Sequence, residues 1–165
     1  PCDVFCVLRL GFRGHRNGDG VRLIVVTGKE PAIVDLFQLH TVVVDHTIGR
    51  HRAAAAFDEP PRGFLAILLS RSRRVGVDIE YRSDRIRRIA SRFLRPDESA
   101  SSTDDLLTCW CVKEAVYKLR SASHLAYDQM RVHLDTATAD DLLAADSLSF
   151  GREITADYVL VWTSE

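Results

Sequence analysis

Two short segments place charge where a buried core is expected. In Val75-Gly76-Val77-Asp78-Ile79-Glu80 an apolar, strand-like run ends in two carboxylates two residues apart. Successive strand residues point to opposite faces, so Asp78 and Glu80 share one face and lie close together. Carboxylates so placed repel unless a cation or a proton sits between them. Paired hard oxygens suit Mg²⁺, which takes one or two carboxylates and completes its shell with water and phosphate. The same spacing also suits a strand terminus at which one carboxylate caps a turn and the other is solvated.

The second segment is Trp110-Cys111-Val112-Lys113-Glu114-Ala115-Val116-Tyr117-Lys118, in which Glu114 and Lys118 are four residues apart and share a helix face. On an exposed helix such a pair is a solvated salt bridge worth roughly a few tenths of a kcal/mol. Here apolar residues run nearly all round (Leu106, Leu107, Cys109, Trp110, Val112, Ala115, Val116 and Tyr117), which predicts a buried helix. Buried charges need partners. With Glu114 facing the edge that carries Asp78 and Glu80, three carboxylates make a half-shell for Mg²⁺, and Lys113 and Lys118 stand beside it as phosphate ligands. A metal, lysines and open coordination positions together suit a diphosphate.

Lysine usage points to the same segment. The chain of 165 residues has 22 basic residues, of which only Lys29, Lys113 and Lys118 are lysine. A sequence that otherwise uses arginine keeps lysine where a compact ammonium is wanted and a planar guanidinium is not. The net charge of -1 hides an uneven distribution. Residues 62–95 are strongly basic through arginine, and residues 96–165 are acidic. Such blocks suit a phosphate-bearing or acidic partner, or two solvated faces that offset each other. A pI near 6.7 and the lack of an aromatic-studded basic strand argue against a nucleic-acid partner.

The elements that must position these groups read as α+β, antiparallel strands packed with two main helices. Phe64 to Ser70 reads as a buried strand, Arg71 to Arg74 as a turn and Val75 to Ile79 as the second strand of a hairpin. Asp84 is placed to cap a helix over Arg85 to Phe93, with Ile86, Ile89, Ala90 and Phe93 on one face, and Pro96 lies beyond its end. Serines and acids over Ser99 to Asp105 offer N-caps for a helix from Asp105 to Leu119, and strands are expected around Tyr127 to Asp135, Ser147 to Ile154 and Tyr158 to Thr163. Before residue 62 the pattern is weak: strand-like runs at Val21 to Val26 and Thr41 to Val44, and alanines from Ala53 to Ala56. Four cysteines (Cys2, Cys6, Cys109 and Cys111) lack paired zinc spacing and read as free thiols of a reducing compartment. No apolar run approaches the ~18 residues of a membrane span and no signal peptide opens the chain, so a soluble, cytoplasmic, globular protein is expected. The first residue is Pro rather than Met, which suggests a fragment or a processed chain.

The two charged segments, in this order, resemble the signature motifs of the 4'-phosphopantetheinyl transferases: a Gly-hydrophobic-Asp-x-Glu strand followed by Trp-x-x-Lys-Glu-Ala-x-x-Lys. Asp78 and Glu114 are 36 residues apart, and Arg88 to Glu98 is similar to the family's linking segment. The likeness covers roughly residues 62–135. It implies transfer of 4'-phosphopantetheine from coenzyme A to a serine of an acyl or peptidyl carrier protein, with Mg²⁺ on the diphosphate. By this similarity Asp78, Glu80 and Glu114 would be metal ligands, Glu114 a base acting directly or through water, and Lys113 and Lys118 contacts to coenzyme A phosphates. Trp110 would pack the helix, and the arginines of Arg85 to Arg95 would face an acidic helix of the carrier protein or solvent. The family's long form has two pseudo-symmetric halves. This chain resembles it with a shortened first half: residues 62–165 as the transferase-like domain, residues 1–61 as a remnant of the first half.

The pattern also departs from the family. A Ser-His-Ser/Thr motif, whose histidine contacts coenzyme A phosphate, usually precedes the aspartate. Glu59, Pro60 and Pro61 occupy the matching positions, while Asp45-His46-Thr47 lies too far upstream. Codons for Phe57 to Pro60, read one base later, can spell Ser-x-Ser-His, so an out-of-frame reading of residues 1–61 is one explanation. The glycine-containing stretch after the second lysine is replaced by Ser121-Ala122-Ser123-His124. These departures leave two other readings beside the active enzyme: an impaired homologue that keeps the fold and metal half-site, and a different Mg²⁺-dependent phosphate-binding module.

Overall fold

A computed structural model describes residues 13–16, 22–27, 52–58, 64–70 and 73–165. It is α+β, with a five-stranded antiparallel sheet, a second sheet of four strands and two main helical segments. Strands β1 (Arg13–Arg16), β2 (Arg22–Thr27), β3 (Arg52–Asp58) and β4 (Phe64–Ser70) form the smaller sheet in the order β1-β2-β4-β3. Strands β5 (Val75–Tyr81), β6 (Met130–His133), β7 (Thr138–Asp141), β8 (Asp146–Ile154) and β9 (Tyr158–Ser164) form the larger in the order β5-β9-β8-β7-β6. The expected run at Thr41 to Val44, together with Cys2, Cys6, Lys29, Asp45 to Thr47 and Glu59 to Pro61, lies outside the described residues.

The strands expected at 64–70 and 75–79 are present, but they do not form a hairpin. β4 pairs with β2 and β3, whereas β5 pairs with β9, with Asp78 opposite Val161. The short link carries the chain from one sheet to the other, and Ser70 Oγ accepts from the Arg73 amide at 3.0 Å. Hydrophobic pattern marks a strand and its buried faces; it does not name the strand's neighbour. The expected strand at 127–135 is also shorter: Tyr127–Gln129 is a 3₁₀ turn, and the missed β7, reading Thr-Ala-Asp-Asp, has almost no apolar signal.

β5 and β9 are covered on both faces, which is why they read as nearly continuous apolar runs. Val75, Val77, Ile79, Tyr158 and Leu160 pack with Ala66 and Leu68 of the smaller sheet. Val159 and Val161 face the other way, into a core built on the helix α2 that crosses the larger sheet. On β5 the residues of that second face are Gly76, Asp78 and Glu80. A Cβ at Gly76 would lie 2.0 Å from the Ala115 carbonyl oxygen, so glycine lets the helix backbone come down on the strand.

The first helical segment differs in detail from the expectation. Residues Asp84–Arg88 form a 3₁₀ turn capped by Ser83, whose Oγ accepts from the Arg85 amide at 3.3 Å. At Ile89 (φ -112, ψ 2) the chain leaves helical geometry, and a single α turn, α1 (Ala90–Phe93), follows. Asp84 is not the cap; it accepts a hydrogen bond from the Thr103 hydroxyl. The expected sidedness is present, with Ile86 and Phe93 buried and Arg85, Arg87, Arg88 and Arg92 exposed.

Helix α2 (Thr103–Leu119) begins two residues earlier than expected, with Ser102 as N-cap. Ser102 Oγ accepts from the Asp105 amide at 3.0 Å, and Asp105 Oδ2 accepts from the Ser102 amide at 3.1 Å, a reciprocal capping box. The helix is buried over most of its circumference as expected, although Tyr117 is exposed. The close approach at Gly76 gives the first prediction. Gly76→Ala meets backbone rather than a movable side chain, so it should cost about 3 kcal/mol or more, a fall of roughly 10 °C in melting temperature by thermal denaturation.

Candidate active site

The face of β5 that carries Asp78 and Glu80 meets the face of α2 that carries Trp110, Glu114 and Lys118. Asp78 is buried, and its Oδ1 accepts from Lys118 Nζ at 2.6 Å. Lys118 also donates to the Val77 carbonyl at 3.4 Å, and its side chain remains 29% exposed, so the ammonium keeps an open side. Asp78 Oδ2 is buried with no hydrogen-bond partner. Burial pushes the Asp78 carboxyl up to about 6; Lys118 opposes the shift and the nearby Glu114 charge adds to it. The Lys118 ammonium at 2.6 Å favours the ionised form of the group.

The other two carboxylates each hold a different aromatic donor. Glu80 Oε1 accepts from Trp110 Nε1 at 2.8 Å, and Glu114 Oε1 accepts from the Tyr127 hydroxyl at 2.6 Å. Trp110 packs on Phe93 (centroids 5.2 Å apart, 67° between planes) and on Tyr127 (5.4 Å, 47°). Trp110 therefore packs the helix and also positions Glu80. Cys111 is fully buried behind this face. Burial and the charges of Asp78 and Glu80 push its thiol well up, so it is no nucleophile. Cys109 is likewise a buried free thiol.

Lys113 occupies a different place from the one its motif suggests. Its ammonium has no exposed surface and donates to the Phe93 carbonyl (2.6 Å), Glu98 Oε2 (2.8 Å) and the Tyr127 carbonyl (3.1 Å). Three acceptors saturate an ammonium. Burial draws Lys113 down from the ordinary lysine range, and the Glu98 pair resists it. Glu98 in turn accepts from the amides of Arg95 and Val132, both at 2.7 Å. The resemblance puts Lys113 on coenzyme A phosphate; in the structure its ammonium is joined to the end of α1 and to the segment that follows it.

Asp78, Glu114 and Lys118 are thus brought together, Glu80 lies on the same strand face with its carboxylate turned to Trp110, and Lys113 points away. Two residues were missed. Glu98 stood inside the recognised linking segment without a role, and Tyr127 read as the start of a strand; a buried lysine's need for a counter-ion was the signal for Glu98. For Mg²⁺ the fit is partial. The orphaned Asp78 Oδ2 and the second oxygen of Glu114 are hard anionic donors of the right kind. Among the described residues no three His, Cys, Asp or Glu side chains stand together as a ready metal cluster. The residue that would complete one is Glu80. The replaced glycine stretch keeps a trace in its backbone: His124 adopts φ 47, in the left-handed region that glycine favours.

A model of the 4'-phosphopantetheinyl transferase superfamily matches residues 74–160, more than half of the chain and all of both charged segments. No curated protein matches the chain. The chain belongs to the 4'-phosphopantetheinyl transferase superfamily. Membership supports a transferase function of the phosphopantetheinyl type, with coenzyme A as donor. Among the described residues no helix is long and apolar enough to cross a membrane.

The buried hub gives the second prediction. Lys113→Met strips Glu98 of its counter-ion and should cost about 3–5 kcal/mol in urea denaturation. Glu98→Ala should cost at least as much, because it removes the counter-ion of a buried ammonium and orphans two amides together.

Proposed function

We propose that this chain transfers 4'-phosphopantetheine from coenzyme A to a serine of an acyl or peptidyl carrier protein, with Mg²⁺, in the cytoplasm. The observation that carries the reading is the meeting of Asp78, Glu114 and Lys118, with one oxygen of Asp78 buried and unpartnered. Asp78 and Glu114 would hold Mg²⁺, and Glu80 would join them on leaving Trp110. When bound, the ion supplies positive charge against the diphosphate. Lys118, held beside Asp78 with one side open, is the phosphate contact on this reading, and Lys113 is a structural residue of the same motif.

The chemistry asks for little else. The carrier serine hydroxyl attacks the phosphorus that bears the pantetheine arm, and the phosphoanhydride bond to 3',5'-adenosine diphosphate breaks. Glu114, directly or through water, accepts the hydroxyl proton. The packed helix and strand fix both carboxylates before substrate arrives, so the protein's main contribution is orientation. Arg85, Arg88 and Arg92 are exposed, their guanidinium groups without a hydrogen bond or ion pair among the described residues, and they would meet an acidic face of the carrier protein. The residues at Glu59 to Pro61 favour a second reading, an impaired homologue that keeps the fold and lacks coenzyme A binding.

Incubation with coenzyme A, Mg²⁺ and apo carrier proteins should give a phosphopantetheine adduct by mass spectrometry. Asp78→Ala and Glu114→Ala should abolish it while remaining folded. Lys118→Ala should weaken coenzyme A binding about ten- to a hundredfold by calorimetry, and Lys118→Arg should restore it only in part. Unchanged affinity in Lys118→Ala removes that lysine from the phosphate site. A wild-type chain that binds no coenzyme A leaves the impaired homologue.

A further inference from the structure

Three residues of the helical motif converge on one residue outside it. Trp110 packs on the Tyr127 ring, Lys113 donates to the Tyr127 carbonyl at 3.1 Å, and Glu114 accepts from the Tyr127 hydroxyl at 2.6 Å. Tyr127 opens a 3₁₀ turn of three residues between α2 and β6, a segment that on its own would leave a tyrosine free to rotate. Instead its backbone, ring and hydroxyl are each fixed by a different side chain of α2. The ring and carbonyl contacts need only an aromatic residue. The hydroxyl contact is additional, and it ends on the carboxylate that the proposed reaction uses.

We infer that Tyr127 is the positioning residue of Glu114: its hydroxyl holds Oε1 and so presents Oε2 to the cation and to the attacking serine. The assignment rests on the transferase reading above and adds to it a residue that the charged motifs do not contain. Glu114 reaches the site from a helix position, and the only hydrogen bond of its carboxylate among the described residues is the one from Tyr127. A partner bound to one carboxylate oxygen selects a single rotamer and leaves the second oxygen aimed. The buried Lys113–Glu98 pair then has a direct consequence for chemistry, since it anchors the carbonyl of the residue that aims Glu114.

The test is Tyr127→Phe, which keeps ring packing and backbone and removes the hydroxyl alone. The variant should melt within a few degrees of the wild type and keep KM for coenzyme A within about twofold, while kcat falls about ten- to a hundredfold. Mg²⁺ affinity, measured by calorimetry without substrate, should fall about tenfold. Tyr127→Ala, which also removes the packing on Trp110, should add a loss of thermal stability to the same kinetic defect. Wild-type kcat and Mg²⁺ affinity in Tyr127→Phe would overturn the assignment while leaving the transferase reading intact. So would a loss that only follows a fall in melting temperature, because that marks a structural role. A wild-type chain with neither transfer nor Mg²⁺ binding overturns the reading of the site, and the role of Tyr127 with it.

Discussion

A lysine ammonium with no solvent exposure sits between four parts of the chain, and the arrangement of the site depends on how its charge is met. Lys113 of α2 binds the end of α1 through the Phe93 carbonyl, the following segment through Glu98, and the turn before β6 through the Tyr127 carbonyl. Glu98 extends the same hub to the Arg95 and Val132 amides. Taking both charges out of water costs several kcal/mol per ion, and an ion pair alone repays this only when the remaining donors and acceptors are met. Here all three ammonium protons and both carboxylate oxygens have partners. The hub therefore behaves as a fixed corner that sets where α1, β6 and the Tyr127 turn stand relative to the helix.

The second constraint is steric. β5 divides its residues strictly: valines and isoleucine toward the smaller sheet, Gly76, Asp78 and Glu80 toward α2. The missing side chain at Gly76 allows helix and strand backbones to touch, and that contact lies two residues from Asp78 on the same face. Contact at Gly76 shortens the gap that Lys118 must cross, and its ammonium reaches Asp78 at 2.6 Å. Close packing, rather than a loop, positions the charged groups. The same packing excludes water from Asp78 and raises its pKa to about 6 against the pull of Lys118.

Much of this was legible from residue types and spacing. The α+β class, the strand that carries Asp78, the buried helix and its capping region, and the membership in the transferase superfamily all follow from periodicity and from two motifs. Strand partners were not legible. The short link between β4 and β5 looks like a hairpin turn and is a crossing between sheets, because pattern encodes faces and not neighbours. β7 escaped notice because Asp140 and Asp141 find their partners in His133 and Arg120, contacts invisible to a hydrophobicity pattern. The surroundings of Lys113 were not legible for a related reason. Adjacent helix residues point about 100° apart, so Lys113 and Glu114 face different surroundings, and only the burial of Glu98 decides which of them is turned inward.

The cations of α2 show why the chain is sparing with lysine. Arg120, the C-cap of the helix, spreads its planar fork over Asp141, Asp146 and Glu165, with Nη1 and Nη2 each on one oxygen of Asp146 at 2.9 and 2.7 Å. A guanidinium suits that task, since its several donors can serve three carboxylates from separate parts of the chain at once. Lys113 meets its acceptors around a single point, a geometry for a tetrahedral ammonium that no fork can match. Lys118 differs from both: it holds one carboxylate and one carbonyl, and the rest of its ammonium is open. A compact charge that is only partly spent by the protein can be shared with an incoming anion without breaking the contact that positions it. Helix α2 thus uses one basic group to close the sheet end, one to lock the core and one left available at the site, and the choice of residue type at each follows from the shape of what it binds.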